Sequence, residues 1–375
     1  MFLVSLKNDK NQNKKLMKTE VRELDFQGQD IFIGIDVHLK NWRVTIMTEH
    51  LFHKTFSQDP NAKTLADYLR RNFPGGTYYS AYEAGFCGFS VHRSLEAEGI
   101  QNIVVNPADI PTTDKDRKQK EDNRDSRKIA KSLRNGELVA LHVPNQDLEE
   151  LRGLVRYRKT LVKDISRNKA RIKSFLHLHG VRIPYDLSSA SQHWSANFTS
   201  WLTEVRLSTD HGHLMLGSIV GTVTHLRKEL LAVNRQLRSI STSSCYQGQV
   251  GLLRSIPGIG LVVSMTLVSE LGDINRFKSL DKLCSYIGLI PTTASSGESD
   301  RTGNITPRSN KPLRSVLIES AWVASRNDPA LSLAYNELCK RMKPNRAIIK
   351  IAKKLLNRIR YVLKNGQAYE YAIVQ

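Results

Sequence analysis

The chain has 375 residues, a formal net charge of +20, and 56 Lys plus Arg against 36 Asp plus Glu. Its 40% hydrophobic and 25% charged residues are typical of a globular protein, which excludes wholesale disorder and low-complexity structure. The length allows more than one hydrophobic core, and the basic excess favours polyanionic partners, with nucleic acid first. The four cysteines lie far apart without a CxxC pair, so neither a zinc site nor a disulfide framework is indicated, and we expect a reducing cytoplasm.

Residues 1 to 27 are predicted to form a polar, mobile leader, since their lysines are scattered among Asn, Gln and Asp without an apolar signal region. The longest apolar stretches fall far short of the roughly 20 residues that a membrane helix needs. We therefore expect no membrane partner.

Short apolar runs at 31–35, 42–47 and 51–56 predict three strands, the first two forming a hairpin. The following segments predict a helix over 61–71, a strand over 77–82, a helix ending near 98, a strand over 103–105 and a charged helix over 121–133. This order indicates an α/β domain over 28–145, with a mixed sheet and helices on its faces.

Apolar residues recur at steps of three and four over 147–176 and again over 216–240, which predicts two long amphipathic helices with a heptad-like seam. We expect a central coiled-coil hairpin over 146–245, with an insertion at its tip over 181–213. The seam fits two packed bundle helices and a dimerising coiled coil equally well. Residues 246–375 predict a mainly helical C-terminal domain, in which 301–365 alone carry a net charge of +12.

Four acidic residues lie where predicted strands end or a helix begins. Asp36 and Glu83 end strands, while Asp122 and Asp125 lie three apart near a helix start and so share one helix face. If these ends converge, the carboxylates repel one another unless cations lie among them, and Mg²⁺ is the ion that oxygen ligands suit. Taken singly, each acid has an ordinary explanation as a helix cap or a solvated strand end. The prediction of a two-metal Mg²⁺ site rests on their combination.

The motifs around these acids resemble a known family. Gly-Ile-Asp-Val-His at 34–38, Glu83 and Glu-Asp-x-x-Asp-Ser at 121–126 are similar to the RuvC-like domain of DEDD insertion-sequence transposases. That group includes Piv-type DNA invertases and bridge-RNA-guided recombinases. The resemblance implies an RNase-H-like fold whose Asp36, Glu83, Asp122 and Asp125 hold Mg²⁺. Glu121 and Ser126 depart from the Thr and Ala that the family often has there.

The second half also resembles this family, through Ile-Pro-Gly-Ile-Gly at 256–260, the segment 270–277, and Tyr286 to Pro291 followed by Ser-Ser-Gly at 295–297. The family's Pro-x-x-x-x-Ser-Gly pattern implies a catalytic serine nucleophile at Ser296 in a C-terminal transposase domain. Without the resemblance, this Ser/Thr/Gly-rich stretch is typical of a linker. Pro307 and Ser309 replace a Lys and a Gly of the family's next motif. Nucleic-acid contacts are predicted at Arg301, Arg308, Lys311 and Arg314.

The resulting hypothesis is an insertion-sequence transposase that cuts and exchanges DNA strands through a covalent phosphoserine. Its expected partners are double-stranded donor and target DNA, an element-encoded guide RNA, and further copies of the chain in a homodimer or homotetramer. Its expected location is the bacterial cytoplasm, on the nucleoid when bound to DNA. A Piv-like invertase, a RuvC-like junction resolvase that uses water as the nucleophile, and a non-catalytic nucleic-acid-binding protein stay open as alternatives.

Overall fold

The structure is a computed structural model that describes residues 25–111, 122–296 and 299–371, with the backbone alone for 122–123, 293–296 and 299–302. The predicted leader lies outside the described residues except for its last three. The chain forms two compact units, one ending at Val143 and the other beginning at Pro144.

The first unit is a five-stranded sheet with helices on both faces. Its elements are β1 (Asp30–Val37), β2 (Trp42–Thr48), β3 (Phe52–Gln58), α1 (Ala62–Asn72), β4 (Thr77–Glu83), α2 (Ser90–Ala97), β5 (Gln101–Val105) and α3 (Asp122–Arg134). The strand order is β3-β2-β1-β4-β5, in which β1 to β3 are antiparallel neighbours and β4 and β5 run parallel to β1.

The sheet has two buried faces of different character. Ile31, Ile33 and Ile35 alternate along β1 and share one core with Leu65 and Leu69 of α1, as period-two alternation requires. The other face is formed where Gly34, Thr45 and Ala81 face α3, so it is lined by small residues. The predicted mixed α/β sheet is confirmed, and it is consistent with an RNase-H-like DEDD domain.

The second unit is mostly helical. Its helices are α4 (Gln146–Leu178), α5 (Ala196–Glu204), α6 (Asp210–Ser241), α7 (Gln247–Arg254), α8 (Leu261–Leu271), α9 (Leu280–Ile287), α10 (Lys311–Asn327), α11 (Pro329–Cys339) and α12 (Pro344–Asn365). A two-stranded antiparallel hairpin, β6 (Pro291–Ser296) and β7 (Ser299–Ile305), lies between α9 and α10. No described helix is long and apolar enough to cross a membrane.

The helices α4 and α6 pack against each other in opposite directions. Leu151 and Val155 near the start of α4 share a core with Leu237 near the end of α6, whereas Ile172 shares a second core with Leu216. The first core continues into α7 to α12, and the second is completed by α5 from the predicted insertion. The last four residues of that insertion belong to α6. The predicted long helices are confirmed, while their assembly as a coiled coil stays a prediction.

Candidate active site

Asp36 and Glu83 come together because β1 and β4 are parallel neighbours in register. Ile35 pairs with Tyr82, so the next residue on each strand is one of the two acids. In-register residues of neighbouring strands point to the same side of a sheet. The two carboxylates therefore lie side by side at one edge of the sheet, on the face opposite to Ile35.

The helix α3 crosses the same face at very close range. A Cβ atom on Gly34 would lie 2.0 Å from the carbonyl oxygen of Ser126 and 2.4 Å from the amide nitrogen of Ala130, so only glycine allows this approach. Asp36 follows two residues later on β1, roughly 7 Å along an extended strand. Asp125 immediately precedes Ser126, and its side chain is half-buried. The close approach thus brings the start of α3 to the acid-bearing end of β1.

Buried hydroxyl groups fix where α3 lies on the sheet. The Ser126 hydroxyl is 2.9 Å from the Thr45 hydroxyl of β2, which in turn is 2.7 Å from that of Thr55 on β3. Ser126 and Thr45 are fully buried, so losing the Thr45 hydroxyl would cost the Ser126 hydroxyl this hydrogen bond in a place that water does not reach. The Ser126 that departs from the family's pattern is therefore a structural contact here. It holds the turn of helix that carries Asp125.

The donor chemistry of this edge suits Mg²⁺. Carboxylate oxygens are supplied by Asp36, Glu83 and Asp125, and the side chain of Asp122 lies outside the described atoms. The Nε2 atom of His38 lies 3.1 Å from Oδ2 of Asp36, whose side chain keeps 24% of its accessible surface. Among the described side chains, no three acids, histidines or cysteines lie close enough together to hold a metal ion. The four-acid ligand set accordingly stays a prediction.

Ser296 ends β6 at the tip of a β-hairpin. Its backbone pairs with Ser299, while Pro291 pairs with Ile305 at the opposite end of the hairpin. Only residues 297 and 298 separate the two strands, and they lie outside the described residues, as do the side chains of Ser295, Ser296 and Arg301. The position predicted for the nucleophile is thus a hairpin end rather than a linker.

The base of this hairpin is tied to the surrounding helices. The amide of Thr306 donates to the carbonyl of Ile290 over 3.0 Å, and Arg314 of α10 donates to the Thr306 carbonyl over 2.6 Å. Gly288 ends α9 with a φ of +82°, where a Cβ atom would lie 2.3 Å from Cβ of Ser309. The left-handed turn and the close packing both require glycine there. At its base, the first strand of the hairpin is therefore fixed to α9 and the second strand to α10.

Beneath the hairpin base lies a buried acid, the first residue of the segment 270–277, for which the sequence predicted no role of its own. Glu270 of α8 is 1% exposed and accepts two hydrogen bonds from Arg156 of α4, over 2.7 and 2.9 Å. Arg152, one turn earlier, donates to the Ser269 carbonyl over 3.0 Å and lies 3.7 Å from Glu270. The hydrogen bond with Glu270 is the main cause that raises the pKa of the Arg156 guanidinium.

The same carboxylate also holds the start of α10. Asn310 donates to Glu270 over 2.9 Å and caps α10 by accepting the amide of Leu313. The Tyr286 hydroxyl donates to the Glu270 carbonyl over 3.2 Å, and Arg276 covers the Tyr286 ring at 4.7 Å. We call Glu270, Arg156, Arg152, Asn310 and Tyr286 the Glu270 clamp. It joins α4 and α8 to the two helices between which the hairpin stands.

A faint signal for the clamp exists in the sequence. Arginines interrupt the apolar seam of α4, and a charge on a core-facing side of a helix needs a buried partner. Arg158 likewise donates to Asn234 of α6 over 2.8 Å, and burial lowers the pKa of its guanidinium. The partner of Arg156 is 114 residues away, however, so the chain order alone does not identify it.

The predicted nucleic-acid contacts differ in their surroundings. Arg308 and Lys311 are exposed beside the base of the hairpin, whereas Arg314 is half-buried with its guanidinium on backbone carbonyls. The side chain of Arg301 lies outside the described atoms. Arg314 therefore has a structural contact that the sequence did not indicate.

Comparisons with known proteins agree in both halves of the chain. Residues 33–180 match a DEDD transposase model of the IS110 type, and residues 250–336 match the model described as "Transposase IS116/IS110/IS902 family". A putative transposase of Sinorhizobium fredii, y4rJ, is 28% identical over 92% of this chain and 94% of its own length. A second one from that organism, y4qE, is 32% identical over 65% of this chain but only 58% of its own length.

The transposase for insertion sequence element IS1533 of Leptospira borgpetersenii is 24% identical over 78% of this chain and 84% of its own length. The matches to y4rJ and to this protein span both units, so the agreement is not confined to the acid-bearing domain. The chain belongs to the IS110/IS116 family of DEDD-type transposases, enzymes that cut and rejoin DNA.

Proposed function

We propose that this transposase cuts and exchanges DNA strands through a covalent phosphoserine at Ser296, with Mg²⁺ held by Asp36, Glu83, Asp122 and Asp125. The observation that carries the metal proposal is the register of β1 and β4, which sets Asp36 beside Glu83 under the helix with the other two acids. When bound, Mg²⁺ supplies a positive charge that offsets the charge developing on the phosphate and on the departing oxygen.

In the proposed cleavage step, the Ser296 hydroxyl loses its proton and its oxygen attacks a DNA phosphorus atom. A serine–phosphate bond forms, the bond from phosphorus to one sugar oxygen breaks, and that sugar leaves as a hydroxyl after taking up a proton. Rejoining is the reverse step with the sugar hydroxyl of another strand, so no external energy source is needed. Support for the serine comes from its place at the end of a hairpin whose base the Glu270 clamp fixes.

In this proposal, the backbone phosphates of the DNA bind to Arg301, Arg308 and Lys311 around the hairpin. In this proposal Arg314 supports the hairpin base through its bond to Thr306 rather than contacting DNA. The net charge of +12 over 301–365 favours phosphate binding throughout this part of the chain.

The proposal extends to partners. We infer that an element-encoded structured RNA pairs with donor and target DNA. The protein would then contact the nucleic-acid backbones, while base pairing recognises the DNA sequence, as in RNA-guided nucleases. The chain would act in the bacterial cytoplasm as a homodimer or homotetramer. Exposed apolar side chains on the long helices, Tyr157 at 48% and Leu231 at 58%, offer contact area for assembly. Sequencing the RNA that co-purifies with the chain would test the guide, and a discrete non-coding species is expected.

The serine step is tested by incubating the protein and its co-purified RNA with DNA that carries the ends of its element, in Mg²⁺, followed by denaturing electrophoresis. DNA should remain linked to protein in the wild type and in Ser295→Ala, and the link should be lost in Ser296→Ala or with a chelator. Free cut ends from an active Ser296→Ala variant would contradict the serine and support water as the nucleophile.

A further inference from the structure

The end of the α4–α6 pair that lies away from the Glu270 clamp carries three cations around one tryptophan. Lys169 and Lys173 lie one turn apart on α4, and Arg227 lies on α6. The ammonium of Lys169 is 4.9 Å from the centroid of the Trp194 ring, and Arg227 donates to the Trp194 carbonyl over 3.2 Å. Among the described residues, none of these three cations forms an ion pair with a carboxylate; the nearby Asp164 pairs with Arg167.

A histidine adds a further hydrogen-bond donor to this cluster. Nζ of Lys173 is 2.9 Å from Nδ1 of His193. An ammonium group has only donors, so Nδ1 must accept and the proton of the neutral ring lies on Nε2. Burial and the charge of Lys173 lower the pKa of His193, which keeps the ring neutral. Nε2 is enclosed and has no hydrogen-bond partner in the described part of the chain.

The local backbone holds this arrangement in an unfavourable conformation. Trp194 has a φ of +71°, and no other described residue except glycine has a positive φ. Such a conformation is unfavourable for a residue that has a side chain, and it persists where surrounding contacts enforce it. Phe198, which is fully buried, packs against Trp194 in a T-shaped contact at 5.1 Å. The cluster is therefore a fixed structure rather than a set of mobile surface lysines.

Like charges at this spacing destabilise one another. Burial, Arg227 and Lys173 lower the pKa of Lys169, in that order of importance. Three cations that form no ion pair with a carboxylate among the described residues make a site whose missing partner is an anion. A chain that cuts and rejoins DNA meets one anion above all, the phosphodiester.

We propose that Lys169, Lys173 and Arg227 bind a nucleic-acid phosphodiester at this end of the helix pair. Lys169 lies 13 residues from Arg156 on α4, so the site is about 20 Å along the helix from the Glu270 clamp. It gives the insertion between α4 and α6 a function, that of fixing Trp194 between the cations. The inference rests on the family's action on DNA and does not depend on the serine mechanism.

The test compares two full-length triple variants that lose the same charge. The site variant is Lys169→Gln, Lys173→Gln and Arg227→Gln, and the control is Lys163→Gln, Arg235→Gln and Arg238→Gln, whose side chains are exposed on the same two helices. Fluorescence anisotropy would measure the affinity for labelled duplex DNA, single-stranded DNA and single-stranded RNA of about 30 nucleotides across a range of KCl concentrations.

The site variant should bind at least one of these polymers at least tenfold more weakly near physiological salt. Its plot of log affinity against log salt should be shallower by about two, because each lost phosphate contact removes roughly 0.7–0.9 from the slope. The control should stay within threefold with a slope change below one. The polymer whose affinity falls most, among the three, is the occupant of the site.

Equal losses in the two triple variants would show a general charge effect and would overturn the proposal, as would no loss on any polymer. Thermal unfolding checks that the site variant is folded, and Arg227→Lys, which keeps the charge, should bind within threefold of wild type. If the site variant does not fold, the single variant Lys169→Gln should still lose at least threefold against Lys163→Gln. Binding is also measured in Ser296→Ala, so that failure of the serine mechanism leaves this result interpretable.

Discussion

The acid-bearing edge of the sheet and the base of the serine hairpin are each held in place by a different force. At the sheet edge, α3 is held by close steric fit against Gly34 and by neutral hydroxyls such as that of Ser126. At the hairpin base, a buried carboxylate, Glu270, joins two arginines of α4 and the asparagine that caps α10. The sheet edge should thus be sensitive to added volume, and the hairpin base to lost charge.

The largest effect is expected at the acid-bearing edge of the sheet, on the rate of DNA cleavage. Asp36→Asn should lower the rate of DNA cleavage in Mg²⁺ by about 10³-fold, since the proposed metal site would lose one of its ligand charges. Single-turnover cleavage measures this rate. Glu49→Gln, which changes an exposed acid of the same unit, is the control and should leave the rate within threefold. An unchanged rate in Asp36→Asn would contradict the metal site.

Removing the charge of the clamp is expected to destabilise the helical unit strongly. Glu270→Gln should lower the free energy of unfolding by roughly 3 kcal/mol, because the buried carboxylate loses its charged hydrogen bonds with Arg156 and Asn310. Denaturant unfolding measures the change, with Glu319→Gln on the exposed side of α10 as a control expected within about 0.5 kcal/mol. Equal stability of Glu270→Gln and wild type would mean that packing, and not charge, fixes the hairpin base.

Added side-chain volume should destabilise the other region, the contact between β1 and α3. Gly34→Ala forces α3 off the sheet and should lower the free energy of unfolding by about 2–3 kcal/mol. Gly153→Ala, in the interior of α4 with open space around the added atom, should raise it by up to about 1 kcal/mol. Thermal unfolding distinguishes them. A neutral Gly34→Ala would show that the contact with Ser126 is not required.

These two regions also show what the sequence could and could not predict. The strands of the sheet were predictable because β1 alternates Ile31, Ile33 and Ile35, and the parallel ends then bring Asp36 to Glu83. The hairpin β6–β7 was missed, since Thr, Ala, Ser and Gly provide no apolar alternation. The clamp was missed for another reason: Glu270 and Arg156 are 114 residues apart, and only the packing of α4 on α8 brings them together.

A smaller effect, dependent on pH, is expected at a second buried acid of the helical unit. Burial alone would raise the pKa of Asp328, but hydrogen bonds from Tyr369, the Leu331 amide and Arg358 hold it below the usual 3.8. A lowered pKa in the folded state stabilises the fold above pH 3.8, and that stability is lost as the pH falls through the folded value.

Asp328→Asn should therefore lower the free energy of unfolding by about 2 kcal/mol near pH 6, because the variant loses charged hydrogen bonds. The difference from wild type should shrink as the pH falls below 4. Chemical unfolding at a series of pH values checks this. A difference that stays constant down to pH 2.5 would mean that the charge of Asp328 does not contribute.

The most direct test of the proposed chemistry is to find the atom that carries the DNA. Protein trapped with cleaved DNA would be digested with nuclease and trypsin, and the peptide from residue 283 to residue 301 would be fragmented in a mass spectrometer. We expect a nucleotide phosphate on Ser296, absent when Asp36→Asn protein or a chelator is used. A phosphate on Ser295 or Ser299, or cleaved DNA without any modified peptide, would contradict it.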